Sequence, residues 1–361
     1  MEYFKGMIIQ KTVRERFENA FTNDRLAHAY LFYGPEGSGK EATALAVAKV
    51  VNCQHPGRKP CNECLSCEKI SQIQHPDVKF VIPEGKTWTT KDLQKKYKQK
   101  VENPYSGIVY TGPTSISIDR IRLLKDEAKF APYEGQKKVY ILTEVDQMSR
   151  PSANSFLKLL EEPPENLMII MITNSLDKLL DTIRSRCQLV YFPAFTSEEA
   201  FAILRLYKNQ DAEGDKTARI AQGNLKKIFE LSEQGPDEKR HVVYDYLKAA
   251  ASGNALTLQE VVDLIHKERD KKFLLDVLNL LTLWFKDTIH LVSVGDEAPI
   301  INVDFEDEIH RFAKSYAPSD FDQIVSEIEN AIAAVGNNVY APIILTVLAI
   351  QIKKHLKRLK G

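Results

Sequence analysis

Residues 29–51 read AYLFYGPEGSGKEATALAVAKVV. The apolar run Ala29–Tyr33 enters a glycine turn at Gly34, and residues 42–51 carry the pattern of a buried helix. Between them, Gly34-Pro35-Glu36-Gly37-Ser38-Gly39-Lys40 is the G-x4-G-K core of a phosphate-binding loop in its proper strand–loop–helix setting. Glycines at 34, 37 and 39 let successive backbone N–H groups turn inward around phosphate oxygens. The following helix contributes its partial positive charge, and Lys40 is placed to reach terminal phosphates.

The same alternation extends outward. Short apolar strands are expected at 78–82, 139–142, 168–173 and 189–192, with helices between them at 118–130 and 153–162 and a further one before the first strand at 11–23. The helix at 153–162 stops at Pro163-Pro164, which cannot continue it. Strands separated by helices require crossover connections, hence a parallel sheet covered on both faces. The α/β pattern runs to about residue 195. Beyond it only helices are expected, at 197–207, 224–234, 242–251, 256–267, 271–291, 305–315, 320–335 and 341–359.

Composition agrees with a folded chain. Of 361 residues 43% are hydrophobic and 27% charged, with 49 basic against 49 acidic side chains. Electroneutrality argues against a surface built to coat nucleic acid. The longest mainly apolar stretch, 341–350, is too short to span a membrane, and the N-terminus lacks a signal-peptide pattern, so a cytoplasmic protein is expected. Residues 83–113 stand out as a weakly patterned insertion carrying Lys91, Lys95, Lys96, Lys98 and Lys100. Both a solvated basic helix and a nucleic-acid or partner contact fit them.

The phosphate loop departs from a working ATPase at two places. A Ser or Thr hydroxyl should follow the lysine to hold Mg²⁺, but residue 41 is Glu. The second half of such a site is a strand ending in Asp-Glu. In VYILTEVDQM (139–148) Thr143 takes the place of the metal-holding Asp, while Glu144 keeps the position of the base. Both changes fall on the same metal ion. Glu144 is therefore expected to be vestigial, and ATP hydrolysis is not expected; whether ATP with Mg²⁺ still binds stays open.

Four of the five cysteines are bunched as Cys53-x7-Cys61-x2-Cys64-x2-Cys67. Two-residue spacings bring sulfurs onto one tetrahedral ion, and closed four-cysteine sets hold structural zinc. An iron–sulfur centre uses the same ligand number. Cys187 stands apart and is expected to pack.

These residues resemble the clamp-loader subunits of bacterial DNA polymerase III, in the AAA+ class. The likeness is carried by RLAHAYLFYGPEGSGK (25–40), the cysteine module, HPD (75–77), the stretch 137–175 and IRSRCQ (183–188). It implies an AAA+ α/β domain over 1–195 that includes the four-cysteine zinc module (53–67) and the insertion (83–113), a helical lid over 196–235, and a helical oligomerising collar over 236–361. It also implies that Arg186, in Ser185-Arg186-Cys187, reaches a neighbouring subunit's ATP site as an arginine finger. Asn174 would stand at the position that senses the terminal phosphate, and Lys227 near a second sensor; with Gly34, Gly37, Gly39, Lys40 and Glu41 they make up a degenerate nucleotide site. Glu41 and Thr143 separate the chain from the ATP-hydrolysing motor branch (gamma or tau) and lean toward the delta-prime branch. Partners implied are the motor subunits, the clamp-opening delta subunit, and the sliding clamp and primer-template DNA through the assembly. The residues leave two other readings open: an ATP-hydrolysing motor, and a zinc-containing DNA-binding module on an inactive phosphate-loop scaffold.

Overall fold

The computed structural model describes residues 2–358 except 109, 111, 209–211, 235, 236, 268–270, 299 and 338. The chain divides into two compact units, Met1–Asn209 with Ala221–Phe229, and Gln210–Ile220 with Glu230–Gly361. Residues 196–235, expected as a lid, are shared between them.

In the first unit, strands β1 (Ala29–Tyr33), β2 (Val78–Val81), β3 (Lys138–Leu142), β4 (Leu167–Thr173) and β5 (Gln188–Tyr191) form one parallel sheet in the order β2-β3-β4-β1-β5. Ala29 pairs in register with Ile169, and Val139 with Met168. Successive side chains leave opposite faces of a strand, and a parallel sheet covered on both sides needs apolar residues at every position. Accordingly Tyr30, Phe32, Val139, Ile141 and Ile170 join one core with helices α1 (Lys11–Thr22) and α2 (Lys40–Asn52). Leu31, Tyr140, Leu142, Ile169 and Met171 join the other. That second core holds the apolar sides of the next long helices, which follow α3 (Leu65–Ser71) and α4 (Thr90–Glu102): α5 (Ile118–Ala128) and α6 (Arg150–Glu161). The unit continues through α7 (Asp181–Arg184) and α8 (Ser197–Lys208).

The described residues of the insertion form regular elements. Its base is an antiparallel clasp in which Glu84 pairs with Ser115 and Gly85 with Thr114. Above the clasp runs α4, opened by a capping box in which Thr89 and Asp92 satisfy each other's backbone N–H groups. A solvated basic helix is one of the two readings of these lysines, and α4 corrects it in part: Leu93 and Tyr97 pack against the sheet core and Lys100 is buried.

The HPD triplet is architectural. Asp77 precedes β2 and accepts from the backbone N–H groups of Tyr133, Glu134 and Gly135 at 2.7, 2.9 and 2.8 Å, holding the turn that feeds β3. Asn52, at the end of α2, accepts from Gln136 and Lys137 in the same turn. His75 is tied to Ser66 of α3 at 3.2 Å. Burial raises the Asp77 carboxyl pKa, but the three N–H groups outweigh it and hold the group below its ordinary value.

Helices α9 (Ala212–Ala221) and α10 (Leu225–Gln234) fall partly in each unit. The rest of the second unit is helical: α11 (Asp237–Ser252), α12 (Ala255–Lys267), α13 (Lys271–Val294), α14 (Glu306–Tyr316), α15 (Phe321–Gly336) and α16 (Ala341–His355). Helix α13 is long and apolar enough to cross a membrane, contrary to the sequence expectation that no stretch would be. Its Leu274, Val277, Leu278, Leu281 and Phe285 are instead the centre of this unit's core.

Substituting Asp77→Ala would leave three part-buried N–H donors without their acceptor, and a loss of about 2 kcal/mol is expected in urea unfolding at neutral pH. A carboxyl with a depressed folded pKa stabilises above its unfolded value and loses that contribution as pH falls through the folded one. The gap between wild type and variant should therefore narrow below about pH 4.

Candidate functional site

The phosphate loop lies where β1 passes into α2. Gly34 (φ 143°) presses against the Phe192 carbonyl, where a Cβ would sit 2.1 Å from the oxygen, so no side chain is possible there. Gly39 caps α2 in the left-handed region. Gln10, which carried no sequence signal, pins the loop from outside by donating to the carbonyls of Ser38 (2.8 Å) and Pro193 (2.9 Å). The backbone of the loop thus has the form expected of it.

Its side chains are arranged differently. Lys40 is 5% exposed and its ammonium donates to the Gly34 and Pro35 carbonyls (2.8 and 2.6 Å) and to Ser38 Oγ (3.2 Å). Burial lowers its pKa to about 8 in spite of Glu41, Glu144, Glu36 and Asp146 around it. The insertion closes over the loop. Lys100, 2% exposed, forms an ion pair with Glu41 and also donates to the carbonyls of Pro104 (3.3 Å) and Ser106 at the end of its own helix. Tyr105 donates to the Ile8 carbonyl at 2.9 Å and meets Phe195 edge-on, while Ile108 enters the sheet core. Lys226 lies across Gly107, where a Cβ would collide with its aliphatic stem, and pairs with Glu36 at 2.5 Å. What is left is a cavity of about 50 Å³. At about 10–15 Å³ per water, that holds a few waters, not a nucleotide.

At the end of β3, Thr143 is fully buried and its hydroxyl has no partner among the described residues. It offers no carboxylate to a metal. Glu144 adopts φ 47°, ψ 47°, a left-handed conformation that costs about 1–2 kcal/mol in a residue with a Cβ. The strained turn brings its carboxylate to Asn174 Nδ2, at 3.0 and 3.2 Å. Burial first, then repulsion from Glu41, Asp146 and Glu36, raises Glu144 to about 7. Asp146 binds β4 through Thr173 Oγ1 at 2.7 Å. Of the expected site residues, Gly37, Gly39, Lys40, Glu41, Glu144 and Asn174 converge on the cavity. Lys227 does not line it; its neighbour Lys226 does, because α10 starts at Leu225 and turns that side chain toward Glu36.

Arg186 stands apart, just after α7. It is 36% exposed and pairs with Glu161 at 2.8 Å while donating to the Thr182 carbonyl at 2.9 Å.

The four clustered cysteines converge. Cys53 ends α2, Cys64 caps α3, and all four sulfurs lie within 4.8 Å of one another. The Cys61–Cys67 separation is 4.0 Å. Sulfurs tetrahedral about one ion at a metal–sulfur distance of 2.3 Å would stand about 3.8 Å apart, so the set fits a single metal ion. Backbone N–H groups of Glu63 and Cys64 point at Cys61 Sγ (3.5 and 3.2 Å). Burial raises the Cys61 thiol pKa, but these donors overcome it and draw it down to about 6, whereas burial holds the Cys53 and Cys67 thiols above their ordinary value.

The family model for DNA polymerase III, delta subunit, matches residues 9–196. The chain is 30% identical over 328 residues to DNA polymerase III subunit delta' of Bacillus subtilis, covering 89% of each protein. It is 33% identical over 233 residues to the tau subunit of the same organism, covering 64% of this chain and 35% of that one. Among solved structures, a gamma subunit-related protein of Thermotoga maritima aligns over 94% of this chain and 98% of its own, with TM-score 0.45 and 17% identity.

Removing one partner of a buried ion pair leaves an unpaired charge, which typically costs 3–5 kcal/mol. Lys100→Ala is expected to lower unfolding stability by about 3 kcal/mol on that basis. The double variant Lys100→Ala with Glu41→Ala should recover more than half of the loss in the same urea titration.

Proposed function

The chain belongs to the delta-prime clamp-loader subunit family of DNA polymerase III, and from that premise we propose that it serves as a ring subunit that does not itself hydrolyse ATP. Its fold is that of an AAA+ domain followed by a helical region. The observation that carries the proposal is the covering of the phosphate loop by residues 104–108, locked by Lys100 on Glu41. Lys40 is turned onto its own loop, and Thr143 supplies no metal ligand. Glu144 and Asn174 satisfy each other and are read as vestiges of a nucleotide site.

In this reading the helical collar assembles the chain with gamma or tau motor subunits and with delta, and the assembly loads the sliding clamp onto primed DNA in the bacterial cytoplasm. Arg186 acts in trans. A guanidinium beside the γ-phosphate of a neighbour neutralises the charge that develops on the transferring group, an effect worth about 10³–10⁵ in rate. Its pairing with Glu161 is no obstacle, since both side chains are substantially exposed and such surface pairs are worth about 0–1 kcal/mol. The energetic balance favours release toward a phosphate.

Two arms of one experiment test this. Calorimetric titration of the purified chain with ATP and Mg²⁺ should give no heat that depends on Lys40, judged against Lys40→Ala. In the reconstituted assembly, Arg186→Ala should leave association intact and cut turnover at the one ATPase site it serves by about 10³. Turnover equal to wild type would remove the arginine-finger assignment, and Lys40-dependent ATP binding would remove the inert-pocket one.

We further assign the four cysteines to a structural zinc ion: all four positions are filled by sulfur, so the ion would stiffen the α2–α3 junction and take no part in chemistry. Metal analysis is expected to find one zinc per chain, lost in Cys64→Ser together with order in the 53–67 module. Iron with visible absorbance would point to a cluster instead.

A further inference from the structure

The second unit contains a cavity of about 670 Å³, within the range of small-molecule sites. It lies between α11 and α14, which present matching faces: Tyr244, Leu247, Lys248 and Ala251 on one side, Glu308, Arg311, Phe312 and Ser315 on the other. This i, i+3, i+4, i+7 spacing is that of one face of a helix. The floor is Trp284 of α13, 4% exposed, with Tyr244 at 5.8 Å and Phe312 at 6.3 Å between ring centres. Tyr316 stacks on beside Phe312 at 4.8 Å.

Two independent features mark it as more than a packing gap. The Trp284 indole N–H, a group that can only donate, is buried and has no acceptor among the described residues. The rim is cationic: Lys248, Lys353 and Arg358 form no ion pair among the described residues, and all three are exposed. The lone acid, Glu308, is already engaged by Arg311 at 2.8 Å. Besides aromatic surface and the hydroxyls of Tyr244, Ser252, Ser315 and Tyr316, the lining therefore carries four cations against one carboxylate. A neutral peptide would leave that cationic excess unmatched. A phosphorylated heterocycle is rich in acceptors, carries negative charge and has a flat apolar face, and so matches on all three counts.

We propose that this cavity is a nucleotide-binding site, separate from the phosphate loop, in which Lys248, Lys353 and Arg358 hold phosphate oxygens and the aromatic floor receives the base. The nucleotide is either free or the end of a single strand.

The chain has two tryptophans, Trp88 and Trp284, so a Trp88→Phe background makes Trp284 the sole indole reporter. In the full-length protein, titration with AMP or with a short oligothymidylate is expected to change Trp284 fluorescence saturably. A response to AMP identifies free nucleotide, and one to the oligonucleotide alone identifies a strand. Lys248→Ala with Arg358→Ala, both exposed positions where folding is not at stake, should weaken the apparent affinity by about tenfold or more. Lys40→Ala should leave it unchanged. Absence of a saturable response to either probe at millimolar concentration, an equal response to inorganic phosphate, or full affinity in the double variant would each overturn the assignment.

Discussion

A buried ammonium facing a half-buried carboxylate organises the first unit. Glu41 sits in the first turn of α2, a place where a helix dipole favours negative charge but where an ATPase needs a neutral hydroxyl. Lys100 neutralises it from the last turn of α4, and the same ammonium gathers carbonyls of the segment that follows, those of Pro104 and Ser106. Either charge alone would be costly to bury, whereas the pair is tolerable because the remaining donors of Lys100 are also used. Once the pair is formed, the 104–108 segment has one place to go, and Lys40 is left to solvate itself on its own loop. The glutamate that looks like a lesion in the loop and the lysine-rich insertion are thus two halves of one arrangement.

Around that pair, carboxylates crowd. Glu36, Glu41, Glu144 and Asp146 all act on Lys40, and each has found a separate partner: Lys226, Lys100, Asn174 and Thr173. An ATPase would meet the same charge density with a magnesium ion. Here side-chain donors among the described residues share that task. Thr143 and Tyr110 are the exceptions, each with a buried hydroxyl that lacks a partner among the described residues.

The sheet and the phosphate loop were legible because their signals are local. Strand β1 begins and ends where its apolar run does, and β3 and β4 differ from expectation by one residue at their starts. The cysteine set was equally plain, since its spacing alone fixes convergence. Helix α4 was legible only as a basic helix without bounds: its surface is mostly solvated, its short apolar stripe is Leu93 and Tyr97, and the residue it buries fully is charged. Nor was the role of Lys100, whose partner is 59 positions away in sequence and whose pairing depends on how the insertion folds back. Gln10 could be found only through the carbonyls it reaches, and Lys226, which lines the cavity where the resemblance points to Lys227, only through its pairing with Glu36. Long-range pairing, not composition, set the limit.

The two-residue clasp at Glu84–Gly85 and Thr114–Ser115 has a consequence for how such a chain can change over time. Antiparallel partners stand about 5 Å apart, so whatever lies between them leaves and re-enters the sheet at nearly one point. Residues can be gained or lost there without moving β2 or β3, since each doubling of an excursion's length adds only about 0.6 kcal/mol in closure entropy. The size of this excursion can therefore vary only where its residues touch nothing else, while Lys100, Tyr105 and Ile108 are each held by what they reach.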